Sequence, residues 1–204
     1  MATYALNSIG VCANQSSWEL VTNTKVYTSP FTGAIQTTGR QGSRWQIELT
    51  WKNLCDDDRA DLQAFFTRLN GQEHRFTYED EAYERRGLGG SGVVNGAGQT
   101  GNIINIIPPA LAGNWLEPGD QFSVNGQLKM VSVAVPGSGV SEAVEFQPPI
   151  HISPANADTV LAGNTSGATR PFGTFILTSV FGWNNRPGVF SDFSISAIED
   201  VLVT

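Results

Sequence analysis

Charge is scarce in this chain. Only 15% of its 204 residues are Asp, Glu, Lys or Arg, against roughly 25% in an average soluble domain. What charge there is runs negative, with 12 Lys and Arg against 19 Asp and Glu and a net charge of −7. No stretch clusters Lys and Arg as a phosphate backbone requires, which argues against sequence-independent nucleic-acid binding. Long apolar runs are missing too, so no transmembrane helix is expected. Tyr4 to Ala13 is weakly apolar, but Asn7 and Ser8 interrupt it and the first cation is Lys25. That stretch reads as mature chain, not as a signal peptide. Cys12 and Cys55 are the two cysteines. They cannot build a disulfide framework, they lack zinc-ligand spacing, and they read as two reduced thiols. The histidines are His74 and His151, and no G-x-S-x-G elbow occurs, so each reads as a surface or edge residue. Asn14-Gln15-Ser16 and Asn164-Thr165-Ser166 match the glycosylation pattern, which carries no weight without a secretory route. Spacing assembles no carboxylate pair or metal cluster for a hydrolase. The expectation is a chain that is not an enzyme and takes no cofactor or metal.

Glycine (22), proline (10) and aromatics (10%) are plentiful, and hydrophobic residues reach 40%. That is enough for a core, and excludes wholesale disorder. A turn-rich, charge-poor chain of this kind points to a mainly β protein that spends its life in contact with something. One segment is helical by its period. Over residues 57–70, Leu62, Phe65, Phe66 and Leu69 fall at i, i+3, i+4 and i+7, one apolar stripe. Asp56 or Asp57 is expected to cap its start, and Gly71 to stop it. Trp45, Ile47, Leu49 and Trp51 alternate with polar residues, the period of a half-buried strand. A short helix cannot bury its stripe alone. These eight residues, Trp45, Ile47, Leu49, Trp51, Leu62, Phe65, Phe66 and Leu69, are therefore expected to form a helix-on-sheet core. Phe175, Leu177, Phe181 and Trp183 are expected on one face of a late strand. Val189, Phe193, Ile195 and Ala197 are expected on one face of another. Phe122 to Met130 reads as a hairpin closed by Asn125-Gly126, the type I′ pair.

Gly96-Ala97-Gly98-Gln99-Thr100-Gly101 matches the dinucleotide-binding G-x-G-x-x-G. The residues that follow are β-branched and end in Pro108-Pro109, so they cannot supply the phosphate-holding helix. A turn entering a strand is the expectation. Seven glycines between Arg85 and Gly101, and a Pro/Ala/Asn/Thr-rich stretch over 148–167, mark two seams. They divide the chain into a body of 1–91 plus 156–204 and an inserted β subdomain of 92–155. Glu79, Asp80, Glu81 and Glu84 form an acidic run that meets Arg85 and Arg86. Their spacing does not fit an EF-hand. A solvated face or a salt-bridge strip between subunits fits better, with one copy's acids meeting the next copy's arginines head to tail.

Ser29-Pro30-Phe31-Thr32-Gly33-Ala34-Ile35-Gln36 leads through Gly42-Ser43-Arg44-Trp45 into the alternating strand. The helix ending Leu69-Asn70-Gly71-Gln72 follows, then Phe76-Thr77-Tyr78-Glu79-Asp80. Val94 to Gly101 and Leu116 to Phe122 come later. This pattern, over roughly 28–150, resembles the distal tail or tail-tip proteins of long-tailed bacteriophages. The resemblance implies a tail-tube-like β-sandwich or barrel with one packed helix, often with an added β domain. It implies a structural, homo-oligomeric ring, usually a hexamer, that joins the tail tube to the hub and adsorption apparatus. It places Arg44, Trp45, Phe65 and Phe66 in the strand–helix core, and Pro30, Phe31, Thr32 and Gly33 in a loop near a ring contact. The partners it implies are the chain itself, the tube, hub and tape-measure proteins, with DNA as passing cargo and no membrane insertion. The location it implies is the virion tail tip, assembled in the host cytoplasm. The net negative charge suits a lumen through which DNA slides. The other reading is a carbohydrate-binding β module on the virion for host-surface recognition, with Trp115 and Trp183 stacking on sugar rings.

Overall fold

The computed structural model describes residues 1–39, 42–163, 170–179, 181–182 and 191–200. In chain order the strands begin with β1 (Thr3–Ala5), a 3-10 turn (Leu6–Ile9), β2 (Gln15–Val21), β3 (Thr24–Thr28), β4 (Ile35–Gly39) and β5 (Arg44–Leu54). The helix α1 (Asp56–Arg68) and β6 (Arg75–Tyr78) follow. Next come β7 (Ser91–Val94), β8 (Gly101–Ile107), β9 (Ala110–Leu116), β10 (Gln121–Val124) and β11 (Gln127–Val131). The last are β12 (Val135–Ser138), β13 (Glu142–Ile150), β14 (Thr159–Leu161), β15 (Gly173–Leu177) and β16 (Ser191–Glu199). The protein is mainly β, with α1 the one α-helix among the described residues, as its composition and periodicity imply.

Six strands form an open sheet in the order β1-β6-β15-β16-β5-β2, and six form a closed barrel in the order β10-β11-β13-β8-β7-β14. Strands β9 and β12 pair separately, as do β3 and β4. The barrel strands run from Ser91 to Leu161, so β14 lies past the 92–155 range read from composition.

The sheet is built on β5. Its alternation buries Trp45, Ile47, Leu49 and Trp51. They share one core with Leu62, Phe66 and Leu69 of α1 and with Phe76, Phe175 and Phe193. Phe66 lies edge-on to Trp51 at 6.0 Å between centroids and stacks on Phe181 at 5.4 Å. Phe65 is half-buried at the flank of the helix, edge-on to Phe66. The helix start departs from the sequence expectation. Cys55 is the N-cap, its Sγ accepting from the Asp58 N–H at 3.5 Å, and Asp56, Asp57 and Asp58 all sit inside the first turn. There they complement the positive end of the helix dipole. At the other end Asn70 and Gly71 both take positive φ.

Strand β15 ends at Leu177, so Phe181 lies beyond it, and Trp183 and Val189 fall outside the described residues. Phe193, Ile195 and Ala197 are buried on β16 as the alternation predicts.

In the barrel, Asn125 and Gly126 have φ of 49° and 70°, the double positive φ that a type I′ turn needs. The glycine motif is a turn into β8. Gln99 Nε2 donates to the carbonyls of Asn95 and Gly96, and its Oε1 accepts from Asn105 N–H at 2.7 Å. Phe122 and Phe146, edge-on at 5.4 Å, fill the barrel with Val144, Ile104, Ile106 and Trp115.

Barrel and sheet meet along β11. Leu128 and Met130 point out of the barrel into the sheet core. One carboxylate ties the two layers. Glu199, at the end of β16, accepts from Leu128 N–H at 2.9 Å and from Trp45 N–H at 3.3 Å. Lys129 stands 4.0 Å from it, fully buried, and donates to Pro149 O at 3.2 Å. Burial pushes the Glu199 pKa up and the Lys129 pKa down, and each partner's charge opposes the other's shift. Trp45 Nε1 to Leu128 O, His151 Nε2 to Ser43 O and Thr174 N to Gly126 O complete the seam. No helix among the described residues is long and apolar enough to cross a membrane.

Candidate functional site

The β3–β4 hairpin stands apart from both layers. Strands β2 and β5 pair antiparallel from Gln15↔Thr50 out to Val21↔Arg44, and β3 and β4, which lie between them in the chain, pair from Thr24↔Gly39 to Thr28↔Ile35. Among the described residues β3 and β4 pair only with each other, and every residue of both is exposed. At about 3.4 Å per residue the two strands reach roughly 17 Å before the turn. This is an arm.

Its sequence explains both its shape and its exposure. One face carries Val26 and Thr28 opposite Thr37 and Ile35; the other carries Lys25 and Tyr27 opposite Thr38 and Gln36. β-branched residues and tyrosine favour strand. The turn is held by Gly33 N to Ser29 O and Ser29 N to Ala34 O, both 2.9 Å, with Gly33 at φ 68°. Pro30 and Thr32 are exposed with Gly33, and Phe31 at the tip is 95% exposed. Val26, Tyr27 and Ile35 are each more than half exposed. An apolar arm in water lacks the burial that stabilises strands elsewhere in this chain.

At the root of the arm is an open cleft of about 380 Å³, lined by Val21, Thr22, Asn23, Gly42 and Arg44. Arg44 Nε is buried there without a hydrogen-bond acceptor among the described residues. Glu19 stands diagonally from it on the same face, by the Val21↔Arg44 and Glu19↔Gln46 register, and no ion pair joins them among the described residues. Arg44 itself lies on the face of β5 opposite Trp45, so it belongs to the surface and not to the strand–helix core that the resemblance implied.

Glu79, Asp80 and Glu81 of the acidic run are half-buried and bonded within the chain. Asn7 Nδ2 donates to Glu79 O and Glu81 Oε1, and Asn7 Oδ1 accepts from Glu79 N–H. Ser16 Oγ donates to Asp80 Oδ1 at 3.1 Å, and Arg170 donates to Asp80 O. A hydrogen bond with Glu81, then burial, raises the Cys12 pKa. Burial and the nearby carboxylates of Asp80 and Glu81 raise that of Tyr78. Arg85 lays its guanidinium across Gly89, where an added Cβ would come within 1.9 Å of it. Arg86 donates to Pro118 O. Glu84 is exposed. No ion pair among the described residues joins the acids of this run to Arg85 or Arg86.

Sequence reasoning missed Asp120, which organises this region. Buried, it accepts from the backbone N–H of Arg86, Gly87 and Glu117 at 2.7–2.8 Å and from Tyr83 Oη at 3.3 Å. The Pro118-Gly119-Asp120 turn was its one local signal. Missed too was the Lys129–Glu199 pair, whose members stand 70 residues apart in sequence.

Trp115 is fully buried, with Nε1 donating to Gly90 O, so it cannot stack on a sugar. Trp183 lies outside the described residues. Among the described residues no group of three or more His, Cys, Asp or Glu is placed to hold a metal ion. The arm and its root cleft are therefore the candidate functional surface. No protein-family model matches the chain, and no curated protein matches it.

Proposed function

We propose that this chain is a structural subunit of the tail tip of a long-tailed bacteriophage. Copies close into a ring, a hexamer, that joins the tail tube to the hub and adsorption apparatus. The exposed β3–β4 arm carries this reading. It is paired, exposes apolar residues and packs against no other strand among the described residues, and a two-stranded hairpin gains stability only when a third surface packs on it. A ring supplies that surface at every subunit. The Pro30–Gly33 turn, expected near a ring contact from the resemblance, forms the arm's tip. The mainly β body with one packed helix agrees with the fold that the resemblance implies.

In this reading the mechanism is assembly. Identical copies meet head to tail, one face of the ring docks on the tube, and the other receives the hub and tape-measure proteins. DNA passes through a lumen that the chain's excess of carboxylates keeps from sticking. The test is light scattering and negative-stain imaging of the purified chain, alone and with tube and hub proteins. Rings at the tube end are the expected result. A strict monomer in the presence of both partners would overturn the proposal.

A further inference from the structure

The charge of the chain is unevenly spread. From Leu20 to Ile47 there is no Asp or Glu, while Lys25, Arg40 and Arg44 fall in that stretch. This segment, in which Arg40 falls outside the described residues, contains the arm and its root. It carries three of the 12 cations and none of the 19 acids, so the rest of the chain holds a net charge of −10. A cationic, apolar projection on an acidic body is complementary to another copy of the same body. Arg44 adds a second, independent observation. A guanidinium has five donors in a planar fork that fits a carboxylate, and this one has a buried Nε with no acceptor among the described residues, in an open cleft beside Thr22 and Asn23.

We propose that the arm and the cleft at its root dock on the acidic body of a second copy, with Arg44 taking one of that copy's carboxylates. The inference rests on the ring reading above and names the partner of its arm. The apolar residues Val26, Phe31 and Ile35 supply burial, and Lys25 and Arg44 set which surface is chosen. The contact is heterologous, so it leaves each copy with one arm engaged and one body surface receiving an arm.

Sedimentation velocity over a concentration series, at low and high salt, tests it. The variants are Arg44→Glu, Arg44→Lys and Lys25→Glu. Lys52→Glu, exposed on β5 beyond the arm's root, makes the same change in net charge as a control. Arg44→Glu and Lys25→Glu are expected to raise the dissociation constant about tenfold or more. Arg44→Lys keeps the charge and loses the fork, so it falls between wild type and Arg44→Glu. Lys52→Glu should stay within about twofold, and salt should weaken the wild-type assembly. Melting curves identify any variant that fails to fold. If Arg44→Glu does, Arg44→Lys and Lys25→Glu carry the test. Wild-type assembly unchanged in all three arm variants would overturn this docking surface and leave the ring standing. So would an effect of Lys52→Glu equal to that of Arg44→Glu. A wild-type chain that is monomeric alone yet joins rings with the tube protein would overturn the second copy as occupant.

Discussion

Phe65 and Phe66 are neighbours on α1 with unequal roles. Phe66 is 1% exposed and contacts the rings of Trp51, Phe76, Phe181 and Phe193. Phe66→Ala should cost about 3–5 kcal/mol in chemical denaturation, because the aromatic pile cannot collapse into the space. Phe65, half-buried, should cost about 1–2 kcal/mol. Equal losses would place both rings in the core. Glu199 gives a prediction in pH. Burial raises its folded-state pKa, with Lys129 and two backbone N–H donors pulling the other way. The folded chain then holds that proton more tightly than the unfolded chain. The resulting stability is full below the ordinary glutamate pKa and is lost as pH rises through the raised value. The melting temperature of wild type relative to Glu199→Gln, which cannot titrate, should fall between mild acid and neutral pH. A flat difference would show that burial and pairing cancel at this carboxylate.

Asp120 and the arm act at the scale of elements. Asp120→Ala strands three part-buried N–H groups and should cost about 2–3 kcal/mol, read by thermal melting. The arm predicts the opposite. Replacing 24–39 by a short Asn-Gly turn removes no core residue, since the Val21↔Arg44 pair closes the hairpin beneath it. Stability should change by less than about 1 kcal/mol while assembly is lost. The elements that sequence announced were those with a strong local period or turn pair. Strand β5, helix α1 and the Asn125-Gly126 hairpin belong here, because each is specified by residues a few positions apart. Cys55 escaped because cysteine rarely caps a helix. Asp120 and Glu199 escaped because their partners are backbone N–H groups, and an N–H has no sequence signature. Charge pattern alone does not show that Asn7 and Ser16 bond to the acidic run.

Across the whole molecule, low charge has two different meanings. The sheet and barrel bury or half-bury a few charged groups, Lys129, Glu199 and Asp120 and the Arg75–Asp200 pair, and leave others such as Glu48, Asp61 and Glu145 exposed. The arm carries almost none and exposes apolar residues instead. Among the described residues the closed barrel has no free edge, the six-stranded sheet ends on β1 and β2, and the β9–β12 and β3–β4 pairs keep theirs.

In the chain β3 follows β2 and β4 precedes β5, and β5 lies inside the sheet between β2 and β16. A pull on the tip directed along the axis of β5 is therefore passed through the backbone to that strand. Ladder bonds lie across that axis, so the load falls on all of them at once as shear and cannot open them one by one. The register with β2 covers seven residue pairs and that with β16 another seven. Tension that reaches a subunit through its arm is thus delivered to its most extensively paired strand.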